Sequence, residues 1–203
     1  MFSTEAESYT RTAKILHWLV TLAILFMLAL GWSFGFFPKG NLKSFLLQLH
    51  KSIGITILLL SFLCLGWRLM HKAPPFPASM SIWEQRAAHI GHVLLYVMMI
   101  GMPLSGWAIV SAESHNIPLI LYGVLPWPHV LVPSDLQHRE EMADILDDVH
   151  ADAAYVVAVL AVGHIAAALK HHFIAHDGIL LRMAPRCCAG FLDRLRERAR
   201  SIK

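Results

Sequence analysis

The sequence predicts an all-α integral membrane protein, a four-helix bundle with its N- and C-termini in the cytoplasm. Three observations lead there. Only 15% of the 203 residues are charged while 56% are hydrophobic, whereas a soluble domain carries about 25% charged residues. The charges collect between four long apolar runs. Lys and Arg are distributed very unequally between the two sides of those runs.

The opening MFSTEAESYTRTAKILHW is polar. The apolar run behind it is too long for the hydrophobic part of a cleavable signal peptide, so it is expected to stay as an anchor. The expected spans are residues 15–36, 45–69, 87–110 and 149–173, each long enough to cross a hydrocarbon core about 30 Å thick. Pro103, in GMPLSG, is tolerated inside a membrane helix and is read as a kink. The third connection, 111–148, contains IPLILYGVLPWPHVLVP. It is too broken by Pro and Gly to span and is expected to lie at the interface, with Tyr122 and Trp127 as headgroup anchors. With neither repeat nor low-complexity linker, residues 1–185 read as one membrane domain. Residues 186–203 read as a basic tail whose FLDRLRERARSIK rests on anionic inner-leaflet lipid.

Orientation follows from the basic residues. Lys39, Lys43, Lys51 and Arg139 lie on one side of the spans, and all the others of the 17 Lys and Arg lie on the other. The positive-inside rule therefore puts both termini in the cytoplasm, as in a multi-pass protein of a bacterial inner membrane. The long third connection faces outward and is acidic: Asp135, Glu140, Glu141, Asp144, Asp147 and Asp148. A net charge of +3, without a basic stripe interleaved with aromatics, argues against nucleic acid as a partner.

The fourth run, DDVHADAAYVVAVLAVGHIAAALKHH, keeps two imidazoles in an apolar helix. Fourteen residues advance a helix about 21 Å and bring it to within about 40° of four whole turns. His150 and His164 therefore share a face, one near the outer surface and one in the inner half. His17 enters early in the first helix, from inside; His50 enters early in the second, from outside. The depths pair His17 with His164 and His50 with His150. Two imidazoles on one iron fill both axial positions of a haem, which favours electron transfer over oxygen binding. Ala151, Ala153 and Ala154 beside one ligand, with Gly163 and Ala166 to Ala168 beside the other, leave room for a flat guest, though small residues equally let helices approach. Taken singly, His17, His50 and His150 also suit interfacial residues with wet tips. With C-x-x-C-H absent, a haem here is held by ligation and packing alone. Cys64 lies in an apolar run, Cys187 and Cys188 adjoin in the tail, and no C-x-x-C exists for a zinc ribbon.

His17-Trp18 in the first span, LHKSIGITILLL in the second, AAHIGHVLLYVMMIGMPLSGW in the third and GHIAAALKHH with DGILLRMAP in the fourth resemble the prokaryotic cytochrome b561 family. The resemblance runs from Tyr9 to Pro185, one motif per helix and in order. It implies a four-helix bundle with two b haems, akin to the haem subunits of membrane formate dehydrogenases and hydrogenases. The ligands it implies, one each from the first and second helices and two from the fourth, map onto His17, His50, His150 and His164. One departure stands out: many members carry Arg where this chain has Cys64, so a propionate contact there has to be supplied otherwise, with Arg68 the candidate.

Other residues have assignable roles. His89 and His92, an i,i+3 pair in HIGH, suit interfacial histidines, or a quinone or propionate contact; they do not match the zinc-protease motif. His171, seven residues past His164, is placed on the same face as a quinone hydrogen-bond donor, with His171 and His172 also suiting a helix C-terminus. Lys39, Lys43 and Lys51 gather at the outer side, where they could draw in a small anion or merely meet lipid phosphates.

The function expected is a di-haem b cytochrome passing electrons between a periplasmic donor and the ubiquinone pool. Some members of the family it resembles are similar to a superoxide:ubiquinone oxidoreductase, which implies superoxide as a candidate donor and an oxidoreductase of the superoxide:quinone type. The alternative is an electron-transfer subunit whose acidic loop receives a periplasmic redox protein or a dehydrogenase or hydrogenase partner. A histidine-lined transporter is disfavoured, because the spans hold almost no buried acid.

Overall fold

A computed structural model describes residues 8–113, 118–130 and 135–201; the polar opening at 1–7 and Lys203 lie outside the described residues. The order is α1 (Arg11–Ser33), α2 (Asn41–Met70), α3 (Ile82–Ala112), β1 (Leu119–Leu121), β2 (Leu125–Trp127), α4 (Leu136–Lys170), a π-helical turn (His171–Ala175), α5 (Ile179–Met183) and α6 (Arg186–Ser201). Helices α1, α2, α3 and α4 with its π turn are each long and apolar enough to cross a membrane. The protein is a membrane helical bundle. Its outer surface is correspondingly greasy: Ile15, Phe45, Phe62, Leu63, Val159 and Val162 are all exposed, as a hydrocarbon solvent permits.

Local chemistry sets the helix ends. Thr10 caps α1 by accepting from the Ala13 amide at 3.2 Å. Ser81 and Glu84 form a reciprocal capping box at the start of α3, satisfying amides that the first turn leaves orphaned. Pro103 lies inside α3 without ending it. A proline cannot donate to the carbonyl four residues back, which here belongs to Met99. The wholly buried Ser61 of α2 shares its one proton between that carbonyl at 3.2 Å and its own Ile57 carbonyl at 2.7 Å, a three-centre bond. One hydroxyl thus both repairs the proline defect and joins α2 to α3.

The outer connection departs from expectation twice. Helix α4 begins at Leu136, well before the expected residue 149. Asp135 caps it by accepting from the His138 amide at 2.9 Å, and that bond, then the His138 ring, holds the Asp135 carboxyl below its usual range. The acidic stretch read as loop is therefore helix, projecting about 20 Å beyond the expected start. The Pro- and Gly-rich stretch is a β-hairpin in register Leu119 to Trp127. Tyr122 and Gly123 take φ of 53° and 71°, and the Val124 amide donates to Leu121 at 3.0 Å, a turn whose twist suits a hairpin. Leu119 and Leu121 are buried with Ile55 and Val110. The hairpin is pinned to α2 where the Tyr122 amide donates to Ser52 Oγ at 2.9 Å and Gln48 donates to the Ile120 carbonyl. Trp127 is consequently no headgroup anchor: its ring turns inward, 5.9 Å from that of Trp107, because it closes the hydrophobic cluster under the hairpin. Tyr122 is exposed, with its hydroxyl 2.7 Å from that of Thr56.

Helix α1 packs on α2, α2 on α3, and α3 most extensively on α4. Between α1 and α4 such close backbone approach is scarce among the described residues. At the other end the chain returns to close the bundle: Tyr9 donates to the Arg182 carbonyl, Lys14 to Ala184 and Trp18 to Met183.

Ser61→Ala leaves the Met99 carbonyl without its cross-helix donor, and is expected to cost about 1 kcal/mol. Denaturant unfolding in detergent, compared with Ser44→Ala in the exposed first turn of α2, checks this; equal stability of the two variants would contradict it.

Candidate functional site

Packing α1 on α2 and α3 on α4, with α1 and α4 held apart, leaves a cavity of about 970 Å³ along the bundle axis. Pockets for one small molecule run about 300–1,000 Å³, so this space is at the top of that range. It runs from Tyr9, Trp67 and His71 at the end nearer the termini to Lys51, Glu113 and Asp147 at the opposite end. His17, His50, His92, His150 and His164 all line it.

The four histidines singled out by depth meet in two pairs. His17 of α1 and His164 of α4 have ring centres 6.3 Å apart at an interplanar angle of 56°. His50 of α2 and His150 of α4 have ring centres 6.2 Å apart at 68°. Two imidazoles on opposite sides of one metal, each at a bond of about 2.0 Å, place their ring centres about 6.3 Å apart. Both pairs have that spacing. Because α4 is continuous from Leu136 to Lys170, the two levels are separated by about 21 Å along it.

The surroundings fit the same chemistry. Ser105 Oγ donates to the Met102 carbonyl at 2.8 Å, so it accepts from His150 Nδ1 at 2.9 Å. That bond puts the ring proton on Nδ1 and leaves the Nε2 lone pair available, the usual support for a metal-bound histidine. Gly106 leaves room beside it: a Cβ there would come within 3.1 Å of His150 Cε1, so the ring would have to give by a few tenths of an ångström. His50 Nδ1 is buried with no partner among the described residues, and the Phe34 ring centre lies 5.5 Å from its own. Trp18 stands edge-on to His17 at 5.5 Å, its indole tied to Met183 at 3.0 Å. Ser105 and Gly106 were visible in the sequence as GMPLSGW, but nothing in the spacing linked them to a residue on a different helix.

The other predicted residues divide. His92 reaches the inner pair, its ring centre 5.5 Å from that of His164, shorter than the spacing of two imidazoles on opposite sides of one metal. Arg68 and Cys64 line the same inner part of the cavity as His92, so the Arg68 side chain is available where the family position at 64 lacks one. His89 instead meets Phe76 edge-on at 5.4 Å. His171 does not line the cavity: its Nδ1 is 2.5 Å from Asp177, and His172 is wholly buried with Nε2 3.0 Å from the Leu192 carbonyl of α6. Helix α4 is regular up to Lys170, and it is the side-chain bond to Asp177, across the π turn that follows, that engages the His171 ring elsewhere. At the outer mouth, Lys51 pairs with Glu113 at 3.8 Å, Lys43 donates to the Phe34 carbonyl at 3.0 Å and Lys39 is exposed. Two of the three lysines are thus engaged by the protein itself. Among the described residues no cluster of three or more His, Cys, Asp or Glu forms a candidate site for a bare metal ion.

Comparison with known proteins agrees with this architecture. Residues 8–186 match the family model for prokaryotic cytochrome b561. The chain is 33% identical over 190 residues to "Cytochrome b561 homolog 2" of Escherichia coli K12, covering 90% of this chain and 94% of that protein. It is 28% identical over 179 residues to "Cytochrome b561 homolog 1" of the same organism, covering 88% and 97%. It is 31% identical over 178 residues to a Yersinia pestis protein named "Probable superoxide oxidase CybB", covering 84% and 92%. The chain belongs to the prokaryotic cytochrome b561 family, multi-pass membrane cytochromes that carry haem b for electron transfer.

Proposed function

We propose that the protein holds two haems, one iron between His17 and His164 and the other between His50 and His150, and passes electrons across a bacterial inner membrane between a periplasmic donor and the ubiquinone pool. The observation that carries this reading is the repeated ring spacing, 6.3 Å and 6.2 Å, at two levels of one cavity. A haem held by the imidazoles of either pair would supply one-electron transfer.

The chain's own residues do the rest. Ser105 fixes the tautomer of His150, and Gly106 lets α3 approach its ring. Trp18, anchored to Met183, fixes the face that α1 presents at His17. Arg68 supplies positive charge at the inner end of the cavity, suited to a propionate or a quinone oxygen, with His92 beside it as a second polar contact. The lining between the two levels is mostly apolar, which suits the flat hydrocarbon faces of a porphyrin.

For the donor, we favour superoxide, at the outer pair. The similarity to the Yersinia pestis protein supports this choice, and the stoichiometry closes. Two superoxide ions each give up one electron and leave as dioxygen, and one ubiquinone takes both electrons with two protons to become ubiquinol. A second reading rests on α4 itself, whose outward extension exposes Glu140, Glu141, Asp144, Asp147 and Asp148. Such a surface suits a basic redox protein as donor more than it suits an anion.

Purified protein supplied with ubiquinone is expected to consume superoxide in a quinone-dependent steady state. Absence of that turnover, together with reduction by a basic cytochrome that weakens steeply as salt is raised, would establish the second reading instead. His164→Ala is expected to lower haem content from two per chain to one, leaving the His50/His150 haem in place; retention of both would refute the ligand assignment. Ser105→Ala is expected to weaken haem affinity at the outer level about 10- to 100-fold, with the inner level unchanged. Titration of the haem-depleted protein with haemin measures it, and equal affinities in wild type and variant would contradict the role given to Ser105.

A further inference from the structure

The first turn of α6 carries the adjacent Cys187 and Cys188, both exposed, with sulfurs 3.5 Å apart. Both lie outside the four spans and away from the cavity. Their backbone is ordinary helix start: the Cys188 and Ala189 amides both donate to the Pro185 carbonyl at 3.0 Å. What two thiols at this distance can do is decided by geometry. A disulfide needs sulfurs about 2.05 Å apart and Cα atoms about 4.4–6.8 Å apart, whereas consecutive Cα atoms are held at about 3.8 Å. Closing a disulfide between neighbours would therefore force a distorted peptide unit between them, which the regular first turn of α6 does not have. Zinc prefers four protein ligands, and no third His, Cys, Asp or Glu among the described residues completes a metal cluster. A soft ion that bonds two sulfurs at about 2.3 Å with a pyramidal angle spans a gap of about 3.4 Å, and soft ligands select soft ions. The observed separation matches that with the helix left intact.

We propose that Cys187 and Cys188 form a dithiol site for a trivalent, thiophilic hydroxo species of the arsenous type, which keeps one of its own hydroxides as third ligand. The step is a condensation without net redox change. Two S–H bonds and two bonds from the central atom to hydroxide break, two bonds to sulfur form, and two water molecules leave. The hydrogen bond from its neighbour Cys187 raises the Cys188 thiol above its ordinary range. A cytoplasmic position for the C-terminus, as the basic residues imply, would keep the pair reduced.

The test uses the full-length protein in detergent, reduced and freed of reductant, with arsenite and phenylarsine oxide as probes. One arsenic per chain is expected by intact mass, with two of the three thiols lost to titration after denaturation. Cys187→Ser and Cys188→Ser should each weaken retention at least about 100-fold, because the second bond of a linked pair forms at high effective concentration. Cys64→Ser should leave it unchanged. The proposal is overturned if either single variant at the pair binds as the wild type does, if Cys64→Ser abolishes binding, or if a mild thiol oxidant closes a Cys187–Cys188 disulfide with α6 still helical.

Discussion

A neutral imidazole in a hydrocarbon interior is costly unless its nitrogens are satisfied, because no water is present to take their place. Four of the imidazoles that line the axis of this bundle, two of them on α4, stand in two pairs. Their mutual spacing is too long for direct hydrogen bonds and matches that of two ligands sharing a metal. Much of the rest follows from this constraint. Helices α1 and α4 have to stand apart, since each contributes a ring to the inner pair. The neighbours of the rings have to be small or fixed, as Gly106 and Ser105 are. A chain with this composition, but without the paired rings, would be free to close α1 onto α4.

Keeping four helices open around a cavity shifts the burden of cohesion to the ends and to a few polar contacts. Ser61 joins α2 to α3 at the carbonyl that Pro103 frees. The hairpin closes the outer end through Ser52 and Gln48. The segment around Met183 and Ala184 closes the inner end by accepting from Trp18 and Lys14. These contacts position the site from outside it, and Trp18 links the inner closure directly to His17.

Much of the architecture was legible in the sequence, because the physics that sets it is periodic. Membrane thickness fixes span length, and a constant helical rise converts residue number into depth, which is why His17, His50, His150 and His164 could be paired from spacing alone. The misses occur where periodicity fails or where partners come from different elements. His171 was placed by counting turns of a regular helix, but its ring is engaged by Asp177 beyond the π turn, a contact that no count of turns reveals. The early start of α4 depends on the Asp135 cap and on helix-forming residues whose acidity resembled a loop. The hairpin rests on left-handed backbone at Tyr122 and Gly123, and on tertiary burial of Leu119 and Leu121. The Ser105 contact with His150 joins two helices 45 residues apart in sequence, which no local pattern encodes. The lysines at the outer mouth were read as one field of charge, whereas Lys51 and Lys43 are occupied by Glu113 and by a helix-end carbonyl.

The account depends most on the identity of the groups that hold iron, and low-temperature electron paramagnetic resonance with near-infrared magnetic circular dichroism of the oxidised protein addresses that directly. It predicts two low-spin ferric centres per chain, both with the charge-transfer signature of paired imidazoles. A single centre per chain, or a thiolate or thioether signature at either one, would contradict it.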